Sequence, residues 1–365
     1  MKPLELEKNN DSTLLTYTAE NALIHTVVYA ILFWYLPGIT EGWRYLHYYA
    51  LFGLAAFGAQ PLIGILTDFV GNLHVLTQTG VMLVGIGFHM PTHFQTEYVT
   101  VETALTLRVV ILGLGLALFR VSAGGAVLRR DEGKAYPIGV FLSSSALGVA
   151  LAVFLPKLGY YLFPPLMLLA AISDPCAEWA KKLPPKKEKT SPVLAFTLIL
   201  LAMAALFLRS FTETKAEILL PTDKKAVVLI ALAILAGRVL SGFLKDWFGL
   251  LPTLVTLPIS LFLLWKAEST KGLLLGLLLL NVTLPLLYYA VSSLLPRAPG
   301  MAFGLCSCVL FPAAWIAERG GLLLSESKKL IVIGAALALL TLIAYAVIAK
   351  DFRFLGKKKK GGKVK

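Results

Sequence analysis

The sequence predicts an all-α polytopic membrane protein with twelve transmembrane helices in two pseudo-symmetric six-helix bundles. Three observations lead to this fold class. The 365 residues are 57% hydrophobic and only 15% charged, whereas soluble proteins average about 25% charged residues. Apolar runs long enough to cross a bilayer core of about 30 Å recur along the whole chain. A short motif also occurs twice, once in each half of the sequence.

Twelve apolar segments are candidate membrane-spanning helices. Several contain Gly or Pro, which transmembrane helices tolerate where neighbouring helices cover the freed backbone groups. The sixth segment is short and contains Pro164 and Pro165. The segments are 14–37, 45–66, 74–91, 101–125, 135–156, 158–173, 192–212, 225–244, 251–266, 271–294, 300–319 and 329–349.

The longest internal polar segment lies between the sixth and seventh apolar segments and divides them six and six. We therefore expect an N-terminal bundle at 1–173, a cytoplasmic linker at 174–191, a C-terminal bundle at 192–350 and a basic cytoplasmic tail at 351–365. Cytoplasmic loops carry an excess of Lys and Arg. With both termini inside, 20 of the 34 basic residues are cytoplasmic, 10 are outside and 4 lie within spans. This bias predicts a multi-pass protein of the plasma membrane (the bacterial inner membrane) with both termini cytoplasmic.

The formal net charge of +13 comes from short loops and from the tail Lys357–Lys360. This placement is typical of membrane topology and of attraction to anionic lipids, so we expect no nucleic-acid partner. The spacing of Cys176, Cys306 and Cys308 leads us to expect neither a disulfide nor a metal site. The sequence has no phosphate-binding loop and no Ser/His/Asp arrangement in one region, so we also expect no cofactor and no enzymatic activity.

The repeated motif places Gly, Asp and Gly at positions i, i+4 and i+7 after an apolar span. Its two aspartates lie 246 − 68 = 178 residues apart, which is about half the chain. Glycine allows a helix end to lie close to a neighbour, and Asp can accept hydrogen bonds from the free N–H groups of a helix N-terminus. Internal duplication is typical of transporters built from repeats. The residues are Gly64, Asp68 and Gly71 in the first copy and Gly242, Asp246 and Gly249 in the second.

With this topology, the chain resembles the major facilitator superfamily. In that family the loop between helices two and three carries Gly-x-x-x-Asp-(Arg/Lys)-x-Gly, and a degenerate copy follows helix eight. Both copies of the motif stand in these places, although Phe69 and Trp247 replace the usual basic residue. The resemblance implies the major facilitator fold and a secondary transporter that works by alternating access between two rocking bundles.

The family geometry also implies partners for the two aspartates. These are the start of span eleven, near Gly300 and Met301, for Asp68, and the start of span five, near Ile138 and Gly139, for Asp246. Such contacts would join the two bundles, hold one side of the protein shut and release as the bundles rock. The alternative is that both aspartates only end helices at the cytoplasmic surface.

A narrower resemblance lies in the fourth span. Residues Gly113–Gly125, followed by Gly139–Phe141, are similar to the fosmidomycin-resistance-like branch of the superfamily. That branch reads Gly-x-Gly-(Asn/Ser)-Ala-x-Phe-His, and here Leu116 replaces the small polar residue and Arg120 replaces the His. Because these polar positions differ, the branch's substrate does not carry over.

Ionisable residues inside membrane spans are costly and point to functional sites. We expect Arg108 and Arg238 to face the interior, either as anion contacts in a central cavity or as structural partners of acids or backbone carbonyls. Arg209 can pair with Glu213 at i+4. Arg120 lies near the inner end of span four, where its side chain can reach the membrane surface.

A cavity with more arginines than acids favours an anionic solute, because the guanidinium matches planar anions. The proton-coupling candidates are Glu20 and His25, although a lone helix His is commonly a structural hydrogen-bonding residue. Tyr and Trp in spans also occur as packing residues. The substrate-binding candidates are Arg108, Arg238, Arg209, His25, Tyr29, Gln60, Gln78, Asn281, Tyr288 and Trp315.

The sequence therefore predicts a secondary active or facilitative transporter of a small organic anion. We expect a monomer in contact with membrane lipids, with H⁺ or Na⁺ as a coupling ion. One alternative is an efflux pump for apolar or amphiphilic compounds, with the arginines in structural ion pairs. Another is a non-transporting receptor or lipid-handling protein on the same scaffold, which the missing basic residues in both motifs leave open.

Overall fold

The computed structural model describes residues 3–40, 42–70, 73–91, 100–130, 134–172, 191–218, 220, 223–266 and 269–319, with six positions between 336 and 344. Within these ranges the elements are helices joined by short connections, which confirms the all-α class. The predicted linker (apart from residue 191), the basic tail and most of the twelfth predicted segment lie outside the described residues.

The described chain contains fifteen α-helices in sequence order. Two single π-helical turns, Ile31–Tyr35 and Leu54–Gly58, are inserted after the first and third helices. The helices are α1 (Pro3–Ala30), α2 (Leu36–Ile39), α3 (Gly42–Gly53), α4 (Gln60–Val70), α5 (Leu73–His89), α6 (Val101–Arg130), α7 (Tyr136–Phe154), α8 (Leu158–Ile172), α9 (Pro192–Ile218), α10 (Lys224–Phe248), α11 (Leu251–Lys266), α12 (Thr270–Asn281), α13 (Thr283–Leu294), α14 (Pro299–Cys308) and α15 (Leu310–Arg319).

In the described chain, eight helical stretches are long and apolar enough to cross a membrane. Three shorter apolar helices, Leu73–His89, Leu158–Ala171 and Leu254–Lys266, match the third, sixth and ninth predicted segments. Together these eleven helical stretches correspond to the first eleven predicted segments. The eight long stretches are Thr13–Ile39, Gly42–Val70, Val101–Arg129, Tyr136–Phe154, Pro192–Ile218, Lys225–Phe248, Thr270–Leu294 and Pro299–Arg319.

Four of the long stretches are interrupted, each just before or beside a proline. Proline lacks an N–H group and its ring clashes with the carbonyl four residues earlier, which breaks regular helical bonding. That carbonyl belongs to Asn281 before Pro285 and to Cys308 before Pro312, and these two residues end α12 and α14. In the first two stretches the affected carbonyls fall within the π-helical turns. The breaks therefore follow directly from the sequence.

The helices before the linker (the N half, α1–α8) meet those after it (the C half, α9–α15) along two close helix pairs, α4 with α14 and α7 with α10. Glycine permits both approaches. A Cβ atom on Gly64 would lie 2.5 Å from the carbonyl oxygen of Gly300, and one on Gly242 would lie 2.7 Å from the backbone nitrogen of Tyr136. The expected close packing at both glycines is thus present.

One continuous apolar cluster connects the two halves. Phe141 of α7 packs edge-on against Phe303 of α14, with ring centroids 6.1 Å apart, and Phe303 packs in the same way on Tyr288 of α13 at 5.1 Å. All three side chains are fully buried. The halves therefore share a packed core at this depth.

Replacing Gly242 by Val should push α10 away from α7, because the added atoms would meet the backbone of Tyr136. Overpacking of this kind costs about 1–3 kcal/mol, so the melting temperature of the purified protein in detergent should fall. Gly38→Ala is the matched control, since an added Cβ there meets nothing within 4 Å. An unchanged melting temperature for Gly242→Val would contradict the need for this close approach.

Candidate functional site

Asp68, near the end of α4, accepts hydrogen bonds from two other helices. The backbone N–H groups of Gly300 and Met301, at the N-terminus of α14, donate to it at 2.9 and 2.8 Å. Arg129 of α6 donates from Nη2 at 2.9 Å. The carboxylate thus satisfies free N–H groups at a helix start, where the helix dipole favours an anion. The contact expected with Gly300 and Met301 is present.

Asp246, near the end of α10, makes the equivalent contact with the other half. The backbone N–H groups of Ala135 and Tyr136 donate to its carboxylate at 2.8 and 2.9 Å. The expected contact with the start of span five is present, but the donors lie three residues before the expected Ile138 and Gly139, because α7 begins at Tyr136 and the free N–H groups lie at its very start. We call the end of the molecule that carries both contacts the aspartate end.

Of the two glycines that end the motifs, the structure describes Gly249. Gly249 follows α10 with φ of 71°, a left-handed conformation that glycine adopts without strain, and its N–H donates to the carbonyl of Lys245 at 2.8 Å. It therefore ends the helix just after Asp246. Gly71 lies outside the described residues.

Basic partners of both aspartates come from positions that the motif does not predict. Phe69 and Trp247, which occupy the usual basic positions, are 84% and 72% exposed. Arg129 instead reaches Asp68 from 61 residues away in the chain, and Lys245 Nζ lies 3.6 Å from Asp246 Oδ1. Both basic side chains are nearly fully buried. Each aspartate therefore has a basic neighbour, but the neighbour is not the residue at the usual basic position of the motif.

A cavity of about 390 Å³ lies between the two halves, within the usual range of small-molecule sites. On α10 its wall extends from Val227 to Arg238, and Asp246 follows Arg238 by eight residues, about 12 Å along a helix. The cavity therefore lies on the far side of Arg238 from the aspartate end. Its aromatic and charged wall residues are His25, Tyr29, Tyr49, Phe57, Phe311, Arg120, Arg209, Glu213, Glu217 and Arg238.

Two arginines of the C half share a hydrogen-bond network at the cavity wall. Arg209 donates to Glu213 at 2.7 Å and to Asn281 Oδ1 at 2.6 Å. Arg238 Nε donates to the same Asn281 oxygen at 3.0 Å, and its Nη2 lies 3.5 Å from Glu213 Oε1. Glu217 follows Glu213 by one helical turn and also lines the cavity. The predicted pair of Arg209 and Glu213 is present, and two Arg with two Glu give this cluster no net formal charge.

Arg238 also reaches across to the N half. Its Nη1 donates to the carbonyl oxygen of Leu142 at 2.9 Å and to Ser145 Oγ at 3.1 Å, and both residues belong to α7. The side chain is therefore bound by groups from α7, α9 and α12 at once. It holds the two halves together at the edge of the cavity.

Arg120 of α6 lines the same cavity in a different environment. Its guanidinium carbon lies 5.2 Å from the centroid of the Phe57 ring and 6.0 Å from that of Phe303. The residue is 5% exposed, and within the described part of the chain its side chain makes no hydrogen bond or ion pair. The expectation that Arg120 extends to the membrane surface is therefore wrong, because its charge is held between the two halves.

Arg108 lies away from the cavity, which corrects the prediction that it contacts the solute. Its Nε donates to the carbonyl of Gly87 at 3.0 Å and its Nη2 to that of Phe88 at 2.9 Å. The guanidinium also covers the ring of Tyr35 at 4.3 Å. Arg108 thus binds the last turn of α5, as the structural alternative predicts, and the carbonyls freed at that helix end supply its acceptors.

Four further substrate-binding candidates also lie outside the cavity wall, and Asn281 lies behind it as the acceptor of both arginines. Three of them make a hydrogen bond to a neighbouring helix or to their own helix, and the fourth packs on aromatic rings. Gln60 donates to Ala56 O at 2.6 Å, Gln78 donates to Ala170 O at 3.0 Å, the Tyr288 hydroxyl lies 2.7 Å from Ser307 Oγ, and Trp315 packs on Tyr49 and Phe311.

Of the two proton-coupling candidates, only His25 lines the cavity. Its Nδ1 lies 2.7 Å from the carbonyl oxygen of Asn21, and its ring stacks on Tyr29 with centroids 5.9 Å apart. Glu20 is fully buried away from the cavity wall. The acids at the cavity are instead Glu213 and Glu217, whose i, i+4 spacing on α9 is the sequence signal that could have identified them.

Three solved structures with a similar fold bear the titles of transporters. FucP, a major facilitator superfamily transporter crystallised in the outward conformation, aligns with a TM-score of 0.64 and 13% identity over 90% of this chain and 99% of that chain. A second crystal structure, of the E. coli fucose:proton symporter FucP, gives 0.61 and 13% over 94% and 98%. A bacterial homologue of the iron transporter ferroportin, outward-facing with soaked iron, gives 0.54 and 18% over 96% and 100%.

No protein-family model matches the sequence, and no curated protein sequence is similar to it. At 13–18% identity, likeness of structure establishes the fold. The chain has the fold of the major facilitator superfamily.

Proposed function

We propose that this protein is a secondary transporter that carries a small organic anion by alternating access. The observation that supports this most directly is the cavity between the two halves, which is walled off from the aspartate end and contains the buried cation of Arg120. The fold neighbours bear the titles of transporters, which agrees with the proposal. Their titles name fucose and iron, and neither solute is carried over at this level of identity.

The aspartate contacts act as the gate of this transporter. Asp68 and Asp246 each bind two backbone N–H groups of the opposite half, so both contacts must break before the halves can separate at that end. The sequence predicts that the loops with both motifs, the linker and both termini are cytoplasmic, so we place the aspartate end at the cytoplasm. The described conformation is then closed to the cytoplasm, with the cavity on the outer side.

The charges at the cavity support an anionic solute. The side chains of Arg120, Arg209, Arg238, Glu213 and Glu217 line the cavity, and three positive charges against two negative ones leave a formal charge of +1. A bound monoanion would neutralise this charge, and arginine binds carboxylates and phosphates through parallel hydrogen bonds.

Efflux of amphiphilic compounds is the second candidate function. The aromatic side chains in the cavity wall favour it.

Alternating access predicts reciprocal labelling of cysteines at the two ends. In a variant without native cysteines, Thr214→Cys in the cavity wall should react with a membrane-impermeant thiol reagent, and the buried Ser241→Cys near the aspartate end should not. Adding Asp68→Asn and Asp246→Asn removes the charged acceptors, whose hydrogen bonds are worth about 1.5–3 kcal/mol each. Labelling should then rise at position 241 and fall at position 214.

The control is the same pair of cysteines combined with Glu102→Gln, which removes an exposed charge remote from the aspartate end. It should leave both labelling rates as they are. Labelling that rises at position 241 without falling at position 214 would contradict alternating access and favour a receptor on this scaffold.

Arg238→Gln should reduce uptake of radiolabelled small carboxylates into proteoliposomes by about tenfold or more. The change removes one of the two arginines that bind Glu213 and Asn281 and breaks the bond to α7, and one charged hydrogen bond corresponds to about a tenfold change. Arg44→Gln, at an exposed ion pair, is the control. Resistance of sensitised cells to amphiphilic cations, with no uptake of carboxylates, would favour the efflux candidate instead.

A further inference from the structure

We propose that Arg120 anchors the solute, and that the solute carries one anionic group on an apolar or aromatic body. This inference rests on the proposed function only in taking the cavity as the place where the solute binds. It assigns the solute-binding role to a residue in which the sequence indicated only a surface charge. It also limits the charge that the solute carries.

The environment of Arg120 lacks a counter-charge. A buried cation loses its hydration and needs a partner to compensate for that loss. Here the described residues provide only the faces of Phe57 and Phe303, at 5.2 and 6.0 Å, which compensate it in part. Because the side chain borders the cavity and is 5% exposed, an anion in the cavity is the partner that can complete its bonding.

The side chains of Arg209 and Arg238 are already bound to other groups of the protein. Arg209 uses Nη1 and Nη2 on Glu213 and Asn281, and Arg238 uses Nε, Nη1 and Nη2 on Asn281, Leu142, Ser145 and Glu213. A second negative charge on the solute would have to displace Glu213 or lie beside Glu217. The cavity therefore suits one negative charge and disfavours two.

The cavity wall suggests the rest of the solute. Phe57 and Phe311 stack with ring centroids 5.8 Å apart and an interplanar angle of 17°, and Tyr49 adjoins Phe311 at 5.7 Å. These rings form an aromatic wall beside Arg120. A flat or apolar body can stack on this wall while its anionic head meets the guanidinium.

The position of Arg120 gives its charge a role in joining the halves. Arg120 precedes Arg129 by nine residues and Arg238 precedes Asp246 by eight, so both lie about 12–14 Å above the aspartate end. One belongs to the N half and the other to the C half, and both border the cavity. An anion held at Arg120 would therefore lie between the two halves and favour their closure around the solute.

Binding of four matched probes to the purified protein tests the proposal by titration calorimetry in neutral detergent. The probes are 3-phenylpropionate (one negative charge), phenylsuccinate (two), 3-phenylpropanol (none) and 3-phenylpropylamine (one positive charge). We expect 3-phenylpropionate to bind most tightly. Arg120→Gln should weaken its binding by about tenfold to a hundredfold, which is the worth of a charged hydrogen bond.

Two further variants separate charge recognition from loss of structure. Arg120→Lys keeps the charge but not the planar pair of donors, so its affinity should fall between those of the wild type and Arg120→Gln. Arg44→Gln, outside the cavity, should bind like the wild type. An Arg120→Gln protein that elutes as the wild type does on gel filtration, yet binds 3-phenylpropionate equally well, would overturn the proposal.

The remaining outcomes also decide the matter. Tighter binding of phenylsuccinate would refute the limit of one charge, and equal behaviour of the propionate and the propanol, including no binding of either, would refute anion recognition. Anion binding without reciprocal labelling of the two engineered cysteines would leave the site standing and remove transport. Reciprocal labelling without a preference for the anion would do the reverse.

Discussion

Two carboxylates, each bound to a helix N-terminus of the opposite half, hold one end of this protein together. A helix start leaves N–H groups without partners, and inside a membrane protein water does not readily satisfy them. Asp68 fills this need for α14 and Asp246 fills it for α7. Glycines bring the backbones close enough for both contacts, so the carboxylates and the small residues act as one device. The position of the cavity depends on this closed end.

Charge inside the molecule is arranged in two contrasting ways. Arg209, Arg238, Glu213 and Asn281 form a network in which the groups compensate one another, and this network reaches α7 through Arg238. Arg120 has no such compensation in the described structure and depends on two aromatic rings. A network that balances itself is suited to holding helices in place. A buried charge without a partner is suited to receiving something from outside.

Features with a regular sequence signal could be predicted, and pairings between distant residues could not. The apolar segments, the repeated motif and the contact of Asp68 with Gly300 and Met301 follow from hydropathy, spacing and resemblance. Arg108 and Arg120 are both cations within the predicted fourth span, and sequence reasoning gave the interior role to Arg108 alone. Their roles differ because Arg108 lies beside the freed carbonyls at the end of α5, whereas Arg120 faces a cavity that forms only when both halves assemble. Arg129 could not be predicted as a partner of Asp68, because the two residues lie 61 positions apart on different helices and no spacing rule connects them.

The bonds at the aspartate end also determine how the closed state responds to ionic strength. Dissolved ions screen exposed charges strongly and buried ones weakly. The exposed pair of Arg44 and Glu102, 3.6 Å apart, will weaken as salt rises. Asp68 instead binds backbone amides and an arginine whose side chain is 6% exposed. Phe69 and Trp247 occupy the motif positions at which the family has a basic residue, so no exposed cation follows either aspartate. Closure at this end is therefore insulated from the salt content of the surrounding solution.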